Sequence, residues 1–165
     1  MPSDKTDVDF MRRAMALAEK GDRKPGCNPI GCVLVMDGEI IGEACNEVDL
    51  RHDPTAHAEV VSMRRAGEKL FQSEFRGATL YSTLQPCGMC TMASIWAKIG
   101  RIVYGAEREQ VHPMYFEDRH FDTVDFIRDA FRGDLVVTGG VLADQCAKLY
   151  VGPEDDVPEG AQFNR

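Results

Sequence analysis

The sequence predicts an α/β domain in which a mixed sheet of about five strands lies between helices on both faces, and three observations predict it. Two apolar, β-rich runs, "IGCVLVM" and "EIIGEAC", are joined by Asp37-Gly38, a pair suited to a two-residue hairpin because both turn positions need φ above zero. After that hairpin, helical and strand patterns alternate, and parallel strands joined by crossover helices bring those helices onto the sheet. The chain has 165 residues and 44% hydrophobic content, enough for one well-packed core and not for two.

Taken in order, "DVDFMRRAMALAEKG" spaces Phe10, Met11, Ala14, Met15, Leu17 and Ala18 as one face of an amphipathic helix, with Gly21 as its stop. The hairpin follows. A helix is expected from Thr55 to Leu70, a strand at "ATLYST", a helix from Cys87 to Lys98 and a strand at "RIVYGA". The segments "FDTVDFIRDAF", "DLVVTG" and "GVLADQCAKLY" add a helix, a strand and a helix. Between Glu107 and Asp122 runs a loop rich in His, Pro, Tyr and Phe. A loop of that length in a compact domain is often functional, and Tyr115 and Phe116 are its candidates for a lid. Residues 1–151 form the expected domain, and the Pro- and acid-rich 152–165 an acidic tail.

The longest apolar run is far short of the roughly 20 residues a membrane span needs, and "MPSDKTDVDF" lacks a signal peptide's layout. A soluble, cytoplasmic protein is expected. Its six cysteines include a C-x-x-C, Cys87 and Cys90, that a reducing compartment keeps as thiols. Cys27, Cys32, Cys45 and Cys146 are read as small buried residues. The net charge is −8, and without the tail the remainder is still acidic. A polyanion is repelled on average, so a small-molecule substrate is expected rather than a nucleic acid.

The chemistry concentrates in "TAHAEV" and "QPCGMC". A catalytic zinc takes three protein ligands and leaves a fourth place for water, and these segments offer His57, Cys87 and Cys90 on two helix starts. Cys87 and Cys90, three apart, share one face of a first turn, where unpaired N–H groups and the helix dipole favour thiolates. Pro86 suits such a start. His57 and Glu59, two apart, make sense together only at a helix mouth, with Glu59 directed into the pocket as a general acid/base that takes a proton from metal-activated water. A C-x-x-C alone suits a structural zinc or redox site equally well, and an H-x-E alone carries nothing.

H-x-E followed by P-C-x-x-C is the signature of zinc deaminases acting on nucleobases. On His57, Glu59, Pro86, Cys87 and Cys90, and over roughly residues 7–151, the sequence resembles the cytidine deaminase superfamily, in the branch of fungal-type cytosine deaminase, guanine deaminase and bacterial tRNA adenosine deaminase. The resemblance implies a three-layer cytidine-deaminase-like fold, a homodimer or larger, and one zinc held by His57, Cys87 and Cys90 with Glu59 as proton shuttle. Asn46 matches an asparagine that in relatives binds the base, and "NPIG", with Pro29 and Ile30, resembles their pocket wall.

Substrate is less constrained. "GGVLADQCAKL" and "KIGRIVYGA" resemble the tRNA enzymes and "DPTAHAE" resembles both the tRNA and guanine enzymes, while "LYSTLQPCGMCT" is closer to the cytosine enzyme, Gln85 standing where guanine enzymes usually carry Glu. Acidity weighs against tRNA, because phosphate neutralisation supplies much of the affinity for nucleic acid. Cytosine is therefore expected first, guanine second and tRNA adenosine third. A non-enzymatic zinc module is the remaining alternative, but it requires a fourth ligand, and no further Cys or His lies at short spacing from either pair.

Overall fold

Thr6 opens the first helix by a reciprocal cap: its Oγ1 accepts from the Asp9 N–H while the Asp9 carboxylate accepts from the Thr6 N–H, which satisfies donors that a helix start leaves orphaned. The computed structural model describes residues 6–116, 125, 127, 128, 130 and 132–162. Helix α1 spans Asp7–Asp22, strands β1 and β2 span Asn28–Met36 and Glu39–Asn46, and a single turn α2 spans Val48–Arg51. Then come α3 (Ala58–Leu70), β3 (Thr79–Leu84), α4 (Gly88–Trp96), β4 (Arg101–Ala106), β5 (Val136–Thr138) and α5 (Ala143–Ala147).

The five strands form one sheet in the order β2-β1-β3-β4-β5. β1 is antiparallel to both β2 and β3, whereas β3, β4 and β5 run parallel, so the expected mixed sheet is present. Asp37 and Gly38 both have positive φ, 52° and 78°, as the hairpin turn requires. Strand periodicity sorts the core into two layers. Cys32, Leu34, Leu80 and Ile102 pack with α3 and α4 through Ala58, Met63, Ala66 and Ile95. Their neighbours Val33, Val35, Tyr81 and Val103 pack with Phe10, Met11 and Ala14 of α1 and Cys146 of α5.

Two strand glycines allow the helices to lie close to the sheet. A Cβ at Gly31 would stand 1.9 Å from the Ala14 carbonyl oxygen of α1, and one at Gly42 would stand 2.1 Å from the Ser62 carbonyl oxygen of α3. Asp7 fastens the start of α1 to the far strands. Its carboxylate accepts two hydrogen bonds from Arg101, at 2.8 and 2.7 Å, and one from the Tyr81 hydroxyl at 2.9 Å.

Several boundaries differ from expectation. Gly21 does not stop α1: the helix runs to Asp22, and Gly21 is needed instead because a Cβ there would meet the Asn28 carbonyl and the Cys45 Cβ at 2.8 Å. α3 starts at Ala58 rather than Thr55, since Asp53 Oδ1 accepts from the Thr55 N–H at 2.8 Å and holds that segment in a turn. α4 ends at Trp96, with Lys98 at a φ of 57°. The edge strand β5 pairs only with β4 and is three residues long. α5 covers only Ala143–Ala147 of the expected eleven-residue segment, Leu142 standing at a φ of 55° before it. Most of the helix expected over 121–131, with Phe121, Phe126, Phe131 and nearby His120, lies outside the described residues.

Cys32 and Cys146 are fully buried, but Cys27 and Cys45 are only partly so. Trp96, expected in the core or a subunit contact, is 74% exposed. Among the described residues, no helix is long and apolar enough to cross a membrane.

Candidate active site

The parallel strand β3 ends at Leu84, beside the start of α4 and opposite the start of α3, and the catalytic candidates meet there. His57 is the N-cap of α3 and Cys87 the N-cap of α4, neither with a side-chain capping bond; their side chains are therefore left for other partners. Cys90 lies one turn into α4 and is fully buried. The ligand atoms of His57, Cys87 and Cys90 all lie within 4.8 Å of one another.

The geometry fits a zinc ion. His57 Nδ1 is 3.6 Å from Cys87 Sγ and 3.5 Å from Cys90 Sγ. With metal–ligand lengths of about 2.0–2.3 Å, a tetrahedral ion spaces its ligands roughly 3.6 Å apart. Among the described residues no fourth His, Cys, Asp or Glu joins this group, so the donor set is that of a site with an open position rather than a closed structural one. The Cys87 thiol is lowered to about 4, first by the hydrogen bond from Cys90 and then by His57, while Cys90 is pushed up by Cys87 and by burial. One thiolate is thus favoured before any metal arrives, as the helix start predisposes.

Glu59 stands in the first turn of α3, 4% exposed. Ser82 Oγ of β3 donates to Glu59 Oε1 at 2.8 Å, and Cys90 Sγ lies 3.4 Å from Oε2. Burial raises the Glu59 carboxyl above the ordinary glutamate value, opposed by His57, which is how a carboxyl is tuned for proton transfer near neutral pH. Ser82 escaped sequence reasoning because only the β3 register carries it under Glu59.

Above this floor opens a cleft of about 260 Å³ whose lining includes Asn28, Ile30, Asn46, Gln85, Tyr115 and Phe116. Asn46 and Ile30 lie where the sequence placed them. Pro29 is not part of the lining, and its neighbour Asn28 is. Asn46 Oδ1 accepts from the Val48 backbone N–H at 3.1 Å and from Asn28 Nδ2 at 3.3 Å. A backbone N–H can only donate, so the Asn46 oxygen is fixed inward and its amide nitrogen is left for the cleft. The aromatic wall is held from behind: Val151 N–H donates to the Tyr115 hydroxyl at 3.2 Å, and Arg108 lies over the Phe116 ring at 5.1 Å. Met89 and Trp96 are outside the lining, and His52 and His112 occupy an exposed turn and the loop.

Residues 4–106 match the family model described as the cytidine and deoxycytidylate deaminase zinc-binding region. A tRNA-specific adenosine deaminase of Buchnera aphidicola subsp. Baizongia pistaciae is 38% identical over 144 residues, covering 87% of this chain and 85% of that protein. The guanine deaminase of Bacillus subtilis is 38% identical over 109 residues, 66% of this chain and 70% of that protein. A chain solved in a study of A-to-I editing by tRNA deaminases at the wobble position superposes with a TM-score of 0.72 at 33% identity, covering 85% of this chain and 97% of that one.

Proposed function

The chain belongs to the cytidine and deoxycytidylate deaminase zinc-binding family, and on that premise we propose that this zinc-dependent hydrolytic deaminase removes the exocyclic amine of a purine, adenosine in a tRNA loop before free guanine. The observation that carries the reading is the convergence of His57, Cys87 and Cys90 beside a buried Glu59 at the floor of one cleft. The substrate order expected from the sequence is reversed. Cytosine has no specific support, whereas the long matches are to proteins named for tRNA adenosine and guanine. The inference from acidity against a nucleic acid also gives way, because net charge is a property of the whole surface and a small contact patch can differ from it.

His57, Cys87 and Cys90 would hold the zinc, which when bound makes water acidic enough to ionise near neutral pH. Glu59, oriented by Ser82, takes the proton from the attacking water and delivers it to the ring nitrogen beside the amine-bearing carbon. As the water oxygen bonds that carbon, the remaining proton of the new hydroxyl is relayed by Glu59 to the amine, the carbon–nitrogen bond breaks, and ammonia leaves as the carbonyl forms. Asn46 orients the base through its free amide donor. Free guanine is the second reading, favoured by the 38% identity over 109 residues to the guanine deaminase of Bacillus subtilis. A homodimer is carried as a further proposal, supported by the helical stripe of Met89, Met92 and Trp96 on α4, of which Trp96 is 74% and Met89 36% exposed.

The test is to incubate zinc-loaded protein with tRNA transcripts, guanine, adenosine and cytosine, and to measure inosine in digested tRNA and ammonia from the free compounds, with Glu59→Ala as the blank. Inosine formation supports the first reading and ammonia from guanine the second. Release from cytosine alone would overturn both.

A further inference from the structure

Gln85 is 9% exposed at the end of β3, between the sheet and the metal corner. Its backbone N–H donates to the Ala106 carbonyl at 2.9 Å, continuing the β3–β4 ladder past the strand. Its side-chain Oε1 accepts from the Arg108 backbone N–H at 3.0 Å. As at Asn46, a backbone donor settles which end of the amide is oxygen. The other end, Nε2, carries two donors and has no hydrogen-bond partner among the described residues. No fully buried side-chain nitrogen or oxygen of the described residues is unpaired, so Nε2 retains access to open space, and the cleft is the open space that Gln85 lines.

We propose that Gln85 is a specificity-determining residue whose Nε2 reads a hydrogen-bond acceptor on the purine while its Oε1 holds the aromatic wall in place. The wall part follows from the chain of contacts. Gln85 pins Arg108, the Arg108 guanidinium lies 5.1 Å over the Phe116 ring, and Phe116 faces the cleft. The reading part follows from chemistry. Purines present bare ring nitrogens as acceptors, and a neutral amide donor meets one without adding charge to a corner that already holds Glu59 and the thiols. The substrate class rests on the proposed function; the latch does not.

Two variants separate the tasks. Gln85→Glu keeps an oxygen to accept from Arg108 and removes the donor, whereas Gln85→Leu removes both. Binding of short RNA stem-loops that carry purine riboside, 3-deazapurine riboside or 7-deazapurine riboside at the target position is measured by calorimetry with the zinc-loaded protein, and deuterium uptake is followed across 107–116. Loss of the acceptor that Gln85 reads weakens wild-type binding about tenfold and leaves both variants nearly unaffected, the mark of a direct coupling. Uptake across 107–116 rises in Gln85→Leu and stays at the wild-type level in Gln85→Glu. Equal deaza penalties in wild type and variants would overturn the reading role, and unchanged uptake in Gln85→Leu would overturn the latch. A wild type that binds none of the three stem-loops would overturn the tRNA reading and with it the reading role, whereas bound stem-loops with no coupling overturn the inference alone.

Discussion

The floor and the wall of the cleft are built by different rules. The floor, His57, Glu59, Cys87 and Cys90, comes from two helix starts, so its geometry is set by local backbone and short spacing. The wall, Asn28, Asn46, Gln85, Tyr115 and Phe116, comes from strand ends and a loop far apart in the chain, and only the sheet brings it together. On the proposed function, the difference would separate reaction from selection: the floor would fix the chemistry, and the wall would decide which ring undergoes it.

The sharpest way to break this comparison is at the metal. Cys90→Ala or His57→Ala is expected to lose zinc, measured by elemental analysis, together with all turnover, and a full zinc complement in either would mean that the floor is not the ligand set. Next, Glu59→Gln should retain one zinc per chain while kcat falls by about 10²–10⁴-fold, and turnover within a few-fold of wild type would remove its shuttle role. On the wall, Asn46→Ala is expected to keep zinc and to lower kcat/KM by roughly 10–100-fold. If kcat/KM were unchanged while zinc was lost, the division into floor and wall would fail.

The smallest effect expected lies away from the cleft altogether. Asp7 is held below the usual 3.8 of an aspartate, first by its hydrogen bonds to Arg101. A depressed carboxyl contributes stability that is present above its unfolded value and is lost as pH falls through the folded value. Asp7→Asn should therefore lower Tm by about 1–4 °C near neutral pH, and the gap from wild type should close below pH 3.8. The side chains of this pair are about one third exposed, so salt should shrink the effect. A gap that stays constant in acid would assign the contribution to packing of α1 instead.

Legibility in the sequence divides along the same line. β4 at Arg101–Ala106 and the Asp37-Gly38 turn are read to the residue, because turn chemistry and strand period are local. The three converging ligands are readable for the same reason. Ser82, Asn28 and Gln85 are not, since their meaning depends on which residue of one strand faces which residue of another, as in the pairing of Asn28 with Asn46. Gly21 was misread because a glycine that admits a neighbouring strand and one that ends a helix are identical in one dimension. Of the two places open to Trp96, a core position is excluded by its exposure, because size predicts burial only where a partner surface exists in the same chain.

That tryptophan is the sole one in the chain, and it stands at the end of α4 opposite Cys87, 74% exposed and 5.9 Å from Lys98 Nζ. Its ultraviolet emission therefore reports one water-facing indole, red-shifted in the free chain and remote from the cleft. Filling the cleft should leave that emission in place, whereas a second molecule settling on α4 should shift it to the blue, which gives an intrinsic optical probe of assembly that needs no label.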